Sequence, residues 1–239
     1  MEKNKIIHIT IMLFFMIIIF GVTGFIIFKY QVEGETNPVF DISKVLIVST
    51  AEGQSKAEST ARWDCSVNQN NDLYITIEKS KKKQDMIKSV TINNVRIIEN
   101  PQIGTIEYYR PAETGLFKCD DKYKIEGELV YTGSKSGSLN NLEISNQGGT
   151  VLLRICNKNV SEYVSNDSEQ ILHDGTLLKN SNVTIDQLKA KLSLDVIIET
   201  ESNIKYISTI EIDIPVGNII DEGTVTQEIE ADKIVIKRM

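Results

Sequence analysis

Residues Ile6–Phe28 form a run of 23 without Asp, Glu, Lys or Arg, and 18 of them are Ile, Leu, Val, Phe or Met. As a helix rising 1.5 Å per residue, the run is about 34 Å long, enough to cross a hydrocarbon core of roughly 30 Å with some tilt. Its Ile, Leu, Val and Phe side chains each contribute about −0.3 to −0.6 kcal/mol to insertion, which outweighs the cost of His8, Thr10 and Thr23. A cleaved secretory signal has a shorter apolar stretch and ends in small residues. Here Lys29-Tyr30-Gln31-Val32-Glu33 follows, so the segment reads as an uncleaved signal anchor whose partner is the lipid bilayer. Lys3 and Lys5 precede it, whereas Lys29 and Lys44 after it are offset by Glu33, Glu35 and Asp41. That bias predicts residues 1–5 in the cytoplasm and the rest of this single-pass chain outside the cell membrane. Tyr30 suits the membrane interface.

The remaining 211 residues have the make-up of a folded domain, in a chain that is 41% hydrophobic and 25% charged. The first 29 residues carry one Glu against three Lys, which leaves 23 basic and 32 acidic residues beyond them. Such an acidic domain is repelled by nucleic acid and by anionic lipid, so neither is an expected partner.

Alternating apolar residues mark strands. Lys44–Val48 begins the series, and Leu73, Ile75 and Ile77 alternate with Tyr74, Thr76 and Glu78. Val90 and Ile92 lie on one parity and Val95 and Ile97 on the other, so Asn93-Asn94 marks either a β-bulge or a tight turn. Thr105–Arg110 and Lys124–Tyr131 follow, and Val151–Cys156 reads as a strand covered on both faces. Leu192–Ile198 and Ile210–Ile214 form a hairpin with one wet face, and Ile234–Ile236 is the last strand. Ser49–Ala61 reads as a loop or short helix, Asn157–Asn182 as irregular, and Thr184–Gln187 as a capping box opening a helical turn. The expected organisation is a transmembrane helix at 6–28, an extended linker at 29–42, and a β domain at 43–239. The Gly/Ser/Asn-rich stretch 134–148 is the one place where that domain could divide. The expected fold class is all-β: an antiparallel β-sandwich, one large or two small.

Candidate chemistry is sparse. Cys65, Cys119 and Cys156 form no C-x-x-C pair, and His173 is far from all of them in sequence, so no metal site is expected. Three unpaired thiols is the preferred reading, with Cys65 and Cys156 acting as small strand hydrophobes. If one disulfide forms, three pairings are open. His173-Asp174-Gly175 reads as a turn, because no nucleophile motif accompanies it. Asp120-Asp121, Asp221-Glu222 and the 166–169 run lack the spacing of a calcium loop. Lys79, Lys81, Lys82 and Lys83 read as a solvated connection guarding strand edges. Gly148-Gly149 reads as a turn, since no helix follows to hold a phosphate. No catalytic, cofactor-binding or metal-ligating residue is assigned, and no cofactor is expected.

The stretches Ile144–Thr150, Cys156–Asn159 and His173–Leu178 resemble uncharacterised single-pass membrane proteins of clostridia. The resemblance implies the anchored architecture. The expected function is a non-enzymatic binding or scaffold module of the bacterial cell envelope, with a protein or cell-wall partner. The alternatives are a pilin-like structural subunit of a surface assembly and an envelope hydrolase. The chain lacks the short leader ending in Gly, and the Glu at the fifth helix position, that pilin-like subunits carry.

Overall fold

The computed structural model describes residues 2–56, 64–80, 83–114, 117–164, 176–230 and 234–239. Trp63, Lys81, Lys82, His173 and the 166–169 run lie outside the described residues. Helix α1 (Glu2–Glu33) continues past the apolar run, and every side chain from Ile7 to Phe28 is exposed. It is long and apolar enough to cross a membrane.

Eleven strands follow among the described residues: β1 (Phe40–Ser55), β2 (Asp64–Lys79), β3 (Ile87–Glu99), β4 (Thr105–Tyr109), β5 (Leu129–Ser134), β6 (Glu143–Ser145), β7 (Gly148–Val164), β8 (Lys191–Thr200), β9 (Lys205–Asp213), β10 (Thr224–Ile229) and β11 (Lys237–Arg238). They form a first sheet in the order β10-β1-β2-β7-β4 and a second in the order β11-β9-β8-β3-β5-β6. The inward parities of both sheets meet in one core. Val45, Ile47, Leu73, Ile75, Val151 and Leu153 come from the first sheet, and Val90, Ile92, Leu129, Leu192, Val196 and Ile212 from the second.

The all-β antiparallel expectation does not hold. Three short helices, α2 (Thr176–Asn180), α3 (Ile185–Leu188) and α4 (Ile219–Glu222), interrupt the strands, and β5 pairs with β6 in parallel. Strand length explains the helices. β1, β2 and β7 contain 16, 16 and 17 residues, against 10 and 9 in β8 and β9. At roughly 3.3 Å per residue the long strands outrun the short ones by about 20 Å. Their far ends need another cover, and Leu177, Leu178, Leu188 and Ile219 supply it by packing on Ala51, Val67 and Val160. The capping-box turn forms within this cover, where the Thr184 N–H donates to Gln187 Oε1 at 2.9 Å.

A polar belt divides the two apolar clusters. Ser49 lies opposite Asn71 and Gln69 opposite Asn157, and all four are buried on the inward parity of the first sheet. Ser49 Oγ donates to Asn71 Oδ1, Asn71 Nδ2 donates to the Ile155 carbonyl at 2.9 Å, and Asn157 Nδ2 donates to the Ile103 carbonyl at 3.2 Å. These bonds make the burial of amides tolerable.

The helix is clasped to the second sheet through β11. Tyr30 Oη accepts the Arg238 N–H at 2.7 Å, Lys237 Nζ donates to Gln31 Oε1 at 2.9 Å, and the Glu35 N–H donates to the Ile236 carbonyl at 2.7 Å. Gly34 turns the chain there with φ +74°, and a Cβ on it would sit 2.3 Å from the Ile236 oxygen, so the turn requires glycine.

One tyrosine ties the sheets together. The register of β4 on β7 ends at Tyr109 opposite Arg154, and two residues further on stands Pro111, which has no N–H to continue the ladder. Leu152 is thereby left without a strand partner on that side. The Tyr131 hydroxyl, reaching across from β5, donates to the Leu152 carbonyl at 2.5 Å and accepts its N–H at 3.2 Å. Burial pushes this phenol well above its ordinary pKa. Because one hydroxyl satisfies two part-buried backbone groups, Tyr131→Phe should lower stability by about 1–3 kcal/mol. The check is the denaturant midpoint of the full chain in detergent, followed by circular dichroism of the strand signal; an unchanged midpoint would count against the staple.

Candidate functional site

Chemically active side chains gather on the outer face of the first sheet. Strand register sets Asp72 opposite Arg154 and Asn70 opposite Cys156, and β4 adds Tyr109 opposite Arg154 and Glu107 opposite Cys156. Residues 110–114 and 117–123 lie over this face as a flap, placing Ala112, Cys119 and Tyr123 against Tyr109 and Cys156 and Phe117 over Arg154.

Arg154 is the centre of the cluster. Its Nε and Nη2 donate to Asp72 Oδ1 and Oδ2 at 2.6 and 2.9 Å, its guanidinium carbon lies 5.0 Å from the Phe117 ring centre, and Glu52 is 3.9 Å away. Burial alone would disfavour the charge on Arg154, but the Asp72 carboxylate more than reverses this and raises its pKa. The two side chains are only 12% and 15% exposed. Loss of one partner would leave an uncompensated buried charge, at a cost of about 3–5 kcal/mol. The pair therefore fixes how β2, β7 and the flap meet.

Glu107 sits one strand away. Burial opposes its charge, yet Lys124 Nζ at 2.7 Å, the Tyr109 hydroxyl and Lys158 Nζ at 3.2 Å together draw its pKa down to about 2. Tyr109 is pushed far up, by burial first and then by donating to Glu107.

Two thiols meet under the flap. Cys156 is fully buried on β7, and Cys119 hangs half-buried from the flap. Cys119 Sγ is 3.6 Å from Asn70 Oδ1 and 3.8 Å from Arg154 Nη1. The neighbouring Cys156 thiol is the main cause that lowers the Cys119 thiol, with Arg154 assisting against burial. The Cys119 neighbour and the deeper burial drive the Cys156 thiol up. The two thiols are thus pushed in opposite directions, Cys119 down and Cys156 up.

A groove of about 570 Å³ opens between the sheets on the β4 side. The segment Lys124–Glu128 carries the chain from the edge of the first sheet to β5, with the Ile125 N–H donating to the Tyr108 carbonyl at 2.9 Å. Ile92, Val95, Tyr108, Ile125 and Leu129 line the groove, Leu153 forms its floor, and Glu126 and Glu128 stand at its rim. Asn93 and Asn94 enter it at a true bulge, where β3 has one extra residue against β8 and Asn94 takes φ +49°. Asn93 Oδ1 is buried there without a hydrogen-bond partner. An apolar cleft with few convergent polar groups is the form that ligand sites commonly take.

No protein-family model matches this chain, and neither does any characterised protein or solved structure. The likeness to clostridial proteins gains no support from them; what stands is an apolar N-terminal helix of the single-pass, signal-anchor kind.

The residues singled out by sequence are scattered. Cys65 is buried at the far end of β2, opposite Ser55. Asp120 accepts the Lys122 N–H at 3.3 Å and caps the 3₁₀ turn Asp121–Tyr123. Asp221 pairs with Lys179 at 3.3 Å, and Lys79 donates to Gln147 at 2.8 Å. Gly148 and Gly149 open β7. Arg154, Asp72, Glu107 and Tyr109 escaped notice, and Asn93 was read as a break in strand phase but not as a groove residue. A signal for one of them was present: Arg154 is a charge inside the apolar run Val151–Cys156, and such a charge must find a buried partner.

The Glu107 cluster has a pH signature. The folded carboxyl lies below its ordinary value of 4.5, at about 2. Its contribution to stability is complete above pH 4.5 and is lost as the pH falls toward 2. Glu107→Gln should lower stability at pH 7 and make the acid limb shallower than in the wild type, as read from denaturant midpoints across pH 2 to 7. Parallel acid limbs would show that Glu107 is not held by Lys124 and Lys158.

Proposed function

We propose that this chain is a single-pass, membrane-anchored binding or scaffold module of the cell envelope, acting without catalysis. Its domain lies outside the membrane and its groove receives a segment of a protein partner. The observation that carries this reading is the groove. It pairs an apolar lining with one unsatisfied buried acceptor, Asn93 Oδ1, and two carboxylates at the rim. A segment presenting an apolar side chain beside an N–H or ammonium donor satisfies all three features, and the acidic character of the domain favours a cationic neighbourhood in that partner. The exposed apolar surface of α1 supports the tether, and Lys3 and Lys5 support a cytoplasmic N-terminus.

Topology is read by adding protease to intact protoplasts. Degradation of the domain before lysis is expected, and full protection would overturn the orientation.

The groove is tested by blocking it. A Cβ on Gly127 meets nothing within 4 Å, so Gly127→Trp fills the cleft without forcing the backbone. A photo-crosslinking residue at Glu126 should capture a partner in membranes of the otherwise native chain, and Gly127→Trp should reduce that adduct at least about 10-fold, a loss of roughly 1.4 kcal/mol. An adduct indifferent to Gly127→Trp would remove the groove from the interaction.

A further inference from the structure

The outer face of the first sheet holds a second feature, independent of the groove. Of the three thiols, Cys65 is set apart at the end of β2 beside Gly53, whereas Cys119 and Cys156 share one small cluster with Tyr109, Ala112 and Tyr123. Their surroundings differ as those of an entry thiol and a resolving thiol must. Cys119 lines a surface cleft of about 350 Å³ with Glu52, Gln54, Asn68, Phe117 and Arg154. The guanidinium of Arg154 lies within 3.8 Å of its sulfur. Cys156 has no exposed surface, and Cys119 is packed against its cluster.

We propose that Cys119 and Cys156 form a redox-active dithiol that closes to an intrachain disulfide by exchange with a disulfide-bearing oxidant. The Cys119 thiolate attacks one sulfur of the oxidant RS–SR. A Cys119–SR bond forms, the S–S bond of the oxidant breaks, and RS⁻ leaves with the electron pair and takes up the proton that Cys119 released. Cys156 then gives up its proton and attacks Cys119 Sγ, which expels the second RS⁻; that thiolate takes the Cys156 proton. Two protein thiols are oxidised by two electrons, and one disulfide is reduced to two thiols. The exchange is helped by a cation beside a partly open thiol, and Arg154 Nη1 at 3.8 Å and the cleft provide these. Closure bonds the flap covalently to β7, directly over the Asp72–Arg154 pair.

The test uses the full chain in detergent, equilibrated in glutathione buffers from fully reduced to fully oxidised, then acid-quenched, denatured and treated with a maleimide-polyethylene glycol. Wild type and Cys65→Ser should each lose two maleimide additions as the buffer becomes oxidising, and proteolysis should yield a disulfide-linked peptide pair containing Cys119 and Cys156. Cys156→Ser and the smaller Cys156→Ala should instead accumulate one glutathione on Cys119 by intact mass. Cys119→Ser should keep its other two thiols free. Three modifiable thiols in the wild type at every ratio would overturn the proposal, and so would protection that requires Cys65. The linked peptide is read from the wild type, so the result does not depend on any variant folding.

Discussion

The unequal length of the strands governs this domain. β1, β2 and β7 reach far beyond β8 and β9, and apolar residues on a strand must be covered wherever they lie. The second sheet covers one end, and three short helices cover the other. Between them a strip of the first sheet faces neither cover squarely, and it is filled by Ser49, Gln69, Asn71 and Asn157, whose amides bond to one another's strands and to the Ile103 carbonyl. A continuous apolar face there would have no fixed boundary between its two covers. The polar belt sets that boundary, at the cost of leaving Gln69 Nε2 and Asn157 Oδ1 without partners.

The long central strands also account for the outer face. A strand flanked on both edges and covered inside still presents its other parity to water. On β2 and β7 that parity carries Asp72, Asn70, Arg154 and Cys156. The flap, residues 110–114 and 117–123, converts this strip into a half-dry layer, in which a guanidinium, a carboxylate and two thiols interact more strongly than they would in water. Its position follows from Pro111, which ends β4 and sends the chain outward. The same proline leaves the Leu152 backbone to Tyr131, so one residue both launches the flap and makes room for the tie between the sheets.

The positions of many strands along the chain were legible because inward residues were Ile, Leu or Val. The hairpin of β8 and β9, the alternation in β2 from Leu73 to Ile77, and the phase change at Asn93-Asn94 all came from period-2 reading, and the last proved to be a bulge. Reading failed where the buried parity used small or polar residues. β1 runs on through Ser49, Ala51 and Gly53; Ser49 belongs to the polar belt, Ala51 packs with Leu177 and Leu178 of α2, and a Cβ on Gly53 would meet Leu177 at 3.3 Å. β2 begins at Asp64 through an Asn-rich stretch that looks like a loop, and β7 continues to Val164. Lys124–Glu128 has strand-like alternation but makes only a single bridge at Lys124 before crossing to the second sheet. The last strand lies at Lys237–Arg238 and not at Ile234–Ile236, because these residues pair with Tyr206 and Ile207. The site was less legible than the fold. Asp72 and Arg154 are 82 residues apart in sequence, and only the register of two long strands brings them together.

The clasp of Tyr30 and Gln31 on Arg238 and Lys237 makes the junction between helix and domain a joint. A free polypeptide linker would let the domain pivot, whereas this one is stitched by hydrogen bonds to an edge strand of only two residues. A load on the domain runs to α1 through that joint. Two residues pair edge-on, so the bonds load one after another and peel, as in a zipper. Peeling β11 from β9 would lengthen the tether and leave the remaining strands of both sheets paired.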